Sequence, residues 1–255
     1  MITGTENWNL AIFRDSLAAS EAAADVVTSV IHDNPYAAIS FPTGSTPLGM
    51  FDVLAARAAR GEIDFSHVAV FCLDEYVGVT VEDPNSLTRW LWDALLTRIG
   101  ITPDQLHTLP VIANDPVAAA TEYEEAITAR GGLDLAILGL GPNGHVGYNE
   151  PGSSADSRTR EIALTPESLT QASAYWEGAV AIPGQAMTIG VRTLLESKQI
   201  LLLVTGDAKA GILRRALEEP MSADVPASWL RIAGPRLSVI ADEAAASNLS
   251  AVHPG

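Results

Sequence analysis

Apolar residues along the chain form two patterns, short continuous runs and longer segments with helical spacing. Continuous apolar runs of strand length, bounded by turn residues, are typical of buried strands. Such runs occur at Tyr36–Phe41, Val68–Leu73, Leu133–Gly139, Met187–Val191, Gln199–Thr205 and Leu237–Ala241. Helical spacing, ended by Gly or Asn-Pro signals, occurs at Ser16–Ile31, Leu48–Arg60, Leu87–Ile99, Asp115–Gly131 and Asp207–Glu218.

The alternation of these runs and helices predicts the fold class. Strands separated by helices pair in parallel through right-handed crossovers, and runs that are apolar at every position are covered on both faces. We therefore expect an α/β fold, a doubly wound Rossmann-like sandwich with a mainly parallel sheet. The 255 residues contain no linker, repeat or low-complexity stretch, which predicts a single domain over residues 1–255. Ligands of such sheets bind beyond the carboxyl ends of the strands.

Composition narrows the classes of partner. The formal net charge of −16 disfavours binding to nucleic acid or anionic membranes. Residues 1–9 lack the basic and apolar regions of a signal peptide, and no apolar run reaches the ~20 residues of a membrane span. The single cysteine, Cys72, is interpreted as a small buried residue and excludes an internal disulfide. We expect a cytoplasmic protein.

Hydroxyl residues and a lysine follow two of the predicted strands. The segment after the first strand contains Thr43, Gly44, Ser45 and Thr46 and leads into a helix. Because helix N-termini bind anions, this segment is a candidate phosphate site, although an ordinary capped helix start explains it equally well. Lys209 follows the strand at 199–205 and is either a phosphate ligand or a solvated helix lysine.

Two adjacent carboxylates, Asp74 and Glu75, follow the second predicted strand. Neighbouring side chains on an extended chain point in opposite directions. One of them can therefore enter a cleft as a base while the other faces the framework. A pair of solvated loop acids is the alternative.

A glycine-rich loop at 139–152 carries His145 and Glu150, five residues apart. Histidine titrates near neutrality, and a nearby carboxylate orients it, so the two form a proton-transfer pair. A hydrogen-bonded structural histidine is the alternative, but the glycine density and the position after a strand favour the chemical interpretation. Four other histidines lack such a setting and are interpreted as surface or loop residues: His32, His67, His107 and His253.

The segments around these four loops also carry a family resemblance. They are Phe41–Pro47, Leu73–Gly78, Gly139–Gly152, Ser157–Arg160, Thr188–Leu195 and Leu201–Lys209. Leu-Asp-Glu-Tyr-Val-Gly at 73–78 and Gly-His-x-x-x-Asn-Glu-Pro at 144–151 are the most specific. On these motifs the sequence resembles the glucosamine-6-phosphate deaminase family, over nearly the whole chain.

The resemblance implies an enzyme that converts glucosamine 6-phosphate and water to fructose 6-phosphate and ammonia, with no metal and no organic cofactor. It implies that Asp74 moves a proton between C2 and C1, and that His145 opens the sugar ring together with Glu150 and Asn143. The substrate-binding residues it implies are Thr43, Gly44, Ser45, Thr46, Gly141 and Lys209. The implied partner is a small amino-sugar phosphate, and a homo-oligomer is possible because family members occur as monomers and as larger assemblies.

Two positions depart from the family pattern. Asn143 stands where some members carry Asp, so Glu150 has to supply the negative partner of the histidine. Ala174 stands where many members carry an arginine for the substrate phosphate, and losing that charge-assisted bond weakens binding roughly 10- to 100-fold. Arg158 and Arg192 are the candidates to replace it.

Three alternatives stay open. A galactosamine-6-phosphate deaminase/isomerase is compatible with the missing arginine and with the segment at 225–230. A 6-phosphogluconolactonase has a similar glycine-rich histidine loop but needs no base for a C–H proton, so Asp74 favours the deaminase. A non-catalytic sugar-phosphate-binding protein usually carries a DNA-binding segment, which this acidic chain lacks.

Overall fold

A computed structural model describes residues 7–176 and 181–250. The helices are α1 (Ser16–Asp33), α2 (Leu48–Ala59), α3 (Leu87–Ala94), α4 (Pro116–Ala129), α5 (Pro166–Ser173), α6 (Val191–Leu195), α7 (Ala210–Glu218) and α8 (Glu243–Ala246). The strands are β1 (Asn9–Phe13), β2 (Ala38–Phe41), β3 (Ala69–Cys72), β4 (Asp74–Tyr76), β5 (Leu106–His107), β6 (Leu135–Leu138), β7 (Arg160–Ala163), β8 (Gln185–Thr188), β9 (Gln199–Val204) and β10 (Leu237–Asp242). Most of the N-terminal segment interpreted above (residues 1–6) and His253 lie outside the described residues.

Seven strands form the main sheet in the order β1-β10-β9-β6-β2-β3-β5, and every neighbouring pair is parallel. Strand β9 shows why the apolar runs predicted this sheet. Its residues from Ile200 to Val204 are all buried, with alternate side chains on opposite faces of the sheet. The prediction of a doubly wound α/β fold with a mainly parallel sheet is confirmed.

Helices cover both faces of the sheet and form two hydrophobic cores. On one face, Leu201 belongs to a core that also contains Val27 of α1 and Phe51 of α2. On the other face, Leu202 belongs to a core that includes Leu213 of α7. Each fully buried apolar side chain of this kind stabilises the fold by about 1.5–3 kcal/mol. Two separate cores therefore hold the sheet rigid between its helices, and the loops at its carboxyl edge rest on a fixed frame.

A second, antiparallel sheet joins β4, β8 and β7 in that order. Strand β4 begins two residues after β3 ends, which places Asp74 and Tyr76 in this small sheet. The sequence did not predict it, because its strands have only three or four residues and β7 is partly exposed. The predicted strand Met187–Val191 is corrected: β8 ends at Thr188, and Val191 begins helix α6.

Three further expectations need correction. The helix predicted over Leu87–Ile99 breaks at Leu95, whose φ of −134° and ψ of −58° are not helical, and a 3-10 turn follows. The helix predicted from Asp207 begins with a 3-10 turn that includes Lys209. The interpretation of His107 as a surface or loop residue is wrong: it lies in β5, and its ring stacks on Phe71 with 4.2 Å between ring centroids.

Among the described residues, no helix combines the length and the apolar character that crossing a bilayer requires.

Candidate active site

Four adjacent strands, β9, β6, β2 and β3, place their carboxyl ends at one edge of the sheet. The chain winds away in opposite directions from β2 and β6, and such a switch point opens a crevice. A cavity of about 270 Å³ occupies it. The predicted site residues that line this cavity are Thr43, Gly44, Ser45, Thr46, Asp74, Gly141, His145 and Lys209.

Asp74 is a buried carboxyl group without a hydrogen-bond donor on one of its oxygens. The residue is 8% exposed, and its Oδ1 atom has no partner among the described residues. Burial, assisted by the charge of the neighbouring Glu75, raises the pKa of Asp74 to about 7. A carboxyl group with this pKa changes protonation state near neutral pH, which suits a base that takes up and returns a proton.

Glu75 points away from the cavity, as the alternation along a strand predicts. It is 3% exposed, and its carboxylate accepts hydrogen bonds from Ser86 Oγ at 2.6 Å and from three backbone N–H groups. Those belong to Tyr76, Leu87 and Thr88, at 2.9, 3.1 and 2.9 Å. The carboxylate thus caps the start of α3. The alternative of two solvated loop acids is wrong.

His145 and Glu150 form the predicted pair, and Asn143 joins them. The Nδ1 atom of His145 lies 3.3 Å from Glu150 Oε2. Asn143 Nδ2 donates to the same Oε2 atom at 2.7 Å, and Asn143 Oδ1 accepts from the backbone N–H of His145 at 3.1 Å. Only His145 of the three lines the cavity. Asn143 and Glu150 therefore act on the cavity through the histidine.

Two hydroxyl residues that sequence reasoning missed, one in helix α5 and one at its N-cap position, complete this network. Thr165 Oγ1 donates to Glu150 Oε2 at 3.2 Å, and its backbone N–H donates to Oε1 at 3.3 Å. Ser168 Oγ lies 3.2 Å from His145 Nδ1. The sequence signal was Thr165-Pro166, a cap followed by proline in a first helical turn.

These donors set the charge of Glu150, which is only 2% exposed. Burial raises the pKa of this carboxyl group, but hydrogen bonds from His145, Ser168 and Asn143 outweigh it and lower the pKa to about 2. Glu150 therefore stays ionised at neutral pH beside His145. An anion fixed in this place orients the imidazole.

Glycine at position 141 is required by the histidine ring. A Cβ atom built there would lie 2.2 Å from both Cδ2 and Nε2 of His145. The ring thus packs directly on the backbone of Gly141, and any larger residue would displace it. The backbone also fixes the loop, because the Gly141 N–H donates to the carbonyl of His145 at 2.9 Å.

The other end of the cavity holds the candidate anion site. Gly44, with φ of +95°, turns the chain into helix α2, whose first turn has no side-chain cap. Lys209 lines the same cavity and forms no ion pair among the described residues, and partial burial lowers its pKa. Uncapped helical N–H groups and a half-buried cation together suit an anion.

Neither arginine proposed as a replacement for the missing family arginine reaches the cavity. Arg158 pairs with Glu196 at 2.5 Å, and Arg192 pairs with the same glutamate at 2.7 Å. Ala174 is the exposed C-cap residue of α5 and does not line the cavity either. Within the described part of the chain, Lys209 is the only lysine or arginine that does so.

Aromatic residues that the sequence did not single out form one wall of the cavity. Tyr76 and Tyr148 line it, with their hydroxyl oxygens 2.7 Å apart. Trp176 packs edge-on against Tyr76, with 5.3 Å between ring centroids. The tyrosines stand in the two specific motifs and meet through β8, which pairs with β4 and whose Thr188 accepts a hydrogen bond from the backbone N–H of Tyr148 at 3.2 Å.

Within residues 7–176 and 181–250, no three His, Cys, Asp or Glu side chains are grouped so as to hold a metal ion. The expectation of a reaction without metal or cofactor stays a prediction.

The fold and the site together define an α/β protein with an acid–base site at the carboxyl edge of a doubly wound sheet. The chain belongs to the family described as glucosamine-6-phosphate isomerases/6-phosphogluconolactonase, whose model matches residues 15–239.

Curated relatives support the same assignment. The chain is 38% identical to a glucosamine-6-phosphate deaminase of Hahella chejuensis over 235 residues, which cover 92% of this chain and 89% of the relative. It is 39% identical to one of Cellvibrio japonicus over 243 residues, 94% of this chain and 91% of the relative.

Solved structures agree on the fold. A monomeric glucosamine-6-phosphate deaminase superposes with a TM-score of 0.89 at 32% identity, covering 94% of this chain and 99% of the other. A 6-phosphogluconolactonase from Trypanosoma cruzi superposes with a TM-score of 0.77 at 20% identity, covering 98% and 100%. At that identity the second similarity concerns the fold alone.

Proposed function

We propose that this protein is a glucosamine-6-phosphate deaminase, which converts glucosamine 6-phosphate and water to fructose 6-phosphate and ammonia. The observation that carries the proposal is Asp74, a buried and partly unpartnered carboxyl group on the same cavity as His145. Hydrolysis of a lactone requires no base for a C–H proton. A carboxyl group with a pKa of about 7 at this position suits proton transfer to and from carbon.

Ring opening is the first step, because a C–H proton becomes acidic only beside an open-chain carbonyl group. His145 takes the proton of the C1 hydroxyl group and delivers it to the ring oxygen, and the C1–O5 bond breaks to leave an aldehyde at C1. The ionised Glu150 stabilises the charged imidazole during this exchange, and Asn143 holds that carboxylate in place. The Gly141 backbone lets the ring lie flat at the cavity wall.

Asp74 then carries the isomerisation. Its carboxylate removes the proton from C2, and the electrons of that bond form a C1–C2 double bond. The C1 carbonyl oxygen takes a proton from the ammonium group of the substrate, which leaves an enol that bears an amino group at C2. The same carboxyl group returns the proton to C1, which leaves an imine at C2. Water adds to that imine and ammonia departs, so the product is a ketose. General acid–base steps of this kind contribute about 10²–10⁴-fold each.

The phosphate group is bound at the opposite end of the cavity. Thr43, Gly44, Ser45 and Thr46 supply hydroxyl and backbone N–H donors at the start of α2, and Lys209 supplies the charge. A fixed phosphate holds the reacting carbons against the base, and such positioning lowers the barrier by several kcal/mol.

The test is ammonia release from glucosamine 6-phosphate and from galactosamine 6-phosphate, measured in parallel with hydrolysis of 6-phosphogluconolactone. The proposal expects ammonia from glucosamine 6-phosphate at a kcat/KM well above that for the other two substrates. Faster release from the galacto epimer would establish the galactosamine-6-phosphate deaminase/isomerase instead. Lactone hydrolysis without ammonia release would establish the lactonase, and binding without turnover would establish a sugar-phosphate-binding protein.

The proposal includes a cytoplasmic enzyme with no nucleic-acid or membrane partner. A doubly charged sugar phosphate does not cross a bilayer, so its enzyme works in the compartment where the sugar is phosphorylated. The net charge of −16 supports the absence of nucleic-acid binding. Light scattering on the purified protein measures whether it forms a homo-oligomer.

A further inference from the structure

Two tyrosine hydroxyl groups meet on the cavity wall beside the proposed base. Tyr76 and Tyr148 have hydroxyl oxygens 2.7 Å apart, and both residues line the cavity. Tyr76 follows Asp74 by two positions in β4, so the two side chains lie on the same face of that strand. The ring of Tyr148 packs edge-on against His145, with 5.9 Å between ring centroids.

The two tyrosine hydroxyl groups carry one more proton than the hydrogen bond between them requires. Each phenol carries one O–H donor, and only one of the two protons fits between the oxygens. Burial raises the pKa of Tyr76 to about 12 and raises that of Tyr148 as well, so both remain protonated at neutral pH. Neither hydroxyl group has another hydrogen-bond partner among the described residues.

Tyr148 is the more exposed of the two residues, so its hydroxyl group is the one that a ligand reaches more easily. Tyr76 is 4% exposed and packs under the cavity wall, whereas Tyr148 is partly exposed. Either oxygen can be the donor of the hydrogen bond between them. A ligand oxygen beside Tyr148 selects the arrangement in which Tyr76 donates to Tyr148 and the Tyr148 O–H is directed into the cavity. Water in the cavity can accept this hydrogen bond, and a ligand that displaces the water has to supply an oxygen atom in its place.

The other proposed contacts account for most of the oxygen atoms of the sugar phosphate. Asp74 takes the C1–C2 end of the sugar, His145 takes the ring oxygen on C5, and Lys209 with the 43–46 loop takes the phosphate on C6. The hydroxyl groups left are those on C3 and C4. We propose that the Tyr148 O–H donates a hydrogen bond to one of these two hydroxyl groups, and that Tyr76 is a positioning residue that directs it. This inference rests on the proposed function.

A hydrogen bond from Tyr148 affects the choice between two epimeric substrates only if it is made at C4. Glucosamine and galactosamine 6-phosphate differ only in the configuration of the C4 hydroxyl group. A contact at C4 would make Tyr148 a determinant of epimer preference, whereas a contact at C3 would leave the epimers to other residues. The deoxy analogue that reacts with the lower kcat/KM identifies which of the two hydroxyl groups Tyr148 contacts.

The test combines the Tyr148→Phe variant with three substrates: glucosamine 6-phosphate and its 3-deoxy and 4-deoxy analogues. For one analogue, we expect kcat/KM of the unsubstituted enzyme to fall roughly three- to tenfold relative to the parent substrate, the cost of one hydrogen bond. We expect Tyr148→Phe to lose the same factor on the parent substrate and nothing further on that analogue. If Tyr148→Phe lowers kcat/KM on both analogues by the same factor as on the parent substrate, the hydroxyl group of Tyr148 touches neither oxygen.

Two variants serve as controls. Tyr36→Phe removes the same atom from an exposed tyrosine that does not line the cavity, and kcat/KM should not change. Tyr76→Phe should still discriminate against the deoxy analogue, because the contacting hydroxyl group remains.

Thermal unfolding checks that each variant is folded. If Tyr148→Phe does not fold, kcat/KM of the unsubstituted enzyme on the three substrates is the test. Equal values on all three overturn the inference. No ammonia from the parent substrate would overturn the proposed function and this inference together, whereas an active enzyme in which Tyr148→Phe causes the same loss on all three substrates overturns the inference alone.

Discussion

Replacing Asn143 with aspartate would place two carboxylates in direct contact. Asn143 Nδ2 now donates to Glu150 Oε2 at 2.7 Å, and Glu150 is almost fully buried. In Asn143→Asp an oxygen takes the place of that donor. Two unit negative charges at 2.7 Å repel by about 6 kcal/mol at an effective dielectric constant of about 20. The folded variant is therefore expected to keep one proton shared between the two groups.

The shared proton makes stability depend on pH, with a definite sign. In the unfolded chain both carboxyl groups titrate near pH 4. Above about pH 5 the folded variant then binds one more proton than the unfolded chain, so its free energy of unfolding falls as pH rises, by about 1.4 kcal/mol per unit. The loss from pH 5 to pH 7 is about 3 kcal/mol. In the unsubstituted protein the lowered pKa of about 2 keeps Glu150 ionised throughout this window, and its stabilising effect is lost only toward lower pH.

The assay is thermal or urea unfolding of both proteins at pH 5, 6 and 7. We expect the difference between them to widen with pH, by about 6–12 °C in Tm at 2–4 °C per kcal/mol. Asn248→Asp adds the same charge at an exposed position and should show no such widening. A difference that stays constant from pH 5 to pH 7 would refute the reasoning, because it would mean that the two carboxylates do not share a proton.

Four further outcomes follow from the site. Asp74→Asn should lower kcat roughly 10²–10⁴-fold, and kcat/KM of the unsubstituted enzyme should rise with pH through about 7 as Asp74 loses its proton; a flat profile from pH 6 to 8 would count against this role. Lys209→Gln should lower kcat/KM about 10- to 100-fold, mainly through KM, because a charge-assisted bond to phosphate is lost; an unchanged KM would exclude it as a phosphate ligand. Gly141→Ala should lower kcat with a smaller effect on KM, because its Cβ displaces the His145 ring; full activity would contradict the 2.2 Å contact. Glu75→Gln should lower the free energy of unfolding by about 3 kcal/mol or more, since an amide cannot accept all four hydrogen bonds; urea unfolding measures it.

The main sheet could be predicted from the sequence because its strands are apolar at every position. A run such as Gln199–Val204 is buried on both faces, and only a covered parallel sheet accepts it. The small sheet could not be predicted on that principle. Strand β7, Arg160–Ala163, is short, partly exposed and without alternation, and it is held by pairing with β8 rather than by its own pattern.

The parts of the site that lie in loops directly after strands could be predicted from the sequence. The four loops follow four strands, so parallel pairing alone brings them to one edge. The alternation at Asp74 and Glu75 predicted one inward and one outward carboxylate, but not which. That choice depends on the start of α3, whose N–H groups bind Glu75 from 12 and 13 residues away. Thr165 and Ser168 reach the histidine pair across 15 and 23 residues, and such contacts leave no local pattern.

Three buried carboxylates near one cavity differ in the number of hydrogen-bond donors that reach them, and they differ in role accordingly. Burial alone disfavours the charge of each. Glu75 has four donors and serves the framework, and Glu150 has donors enough to bring its pKa to about 2. Asp74 has an oxygen without any, and its pKa is about 7. When environments push the pKa values of neighbouring acids apart, the acids take different roles. Glu150, with all its donors, stays ionised beside the imidazole, and Asp74, which lacks a donor on one oxygen, is the carboxyl group that we propose exchanges a proton with carbon.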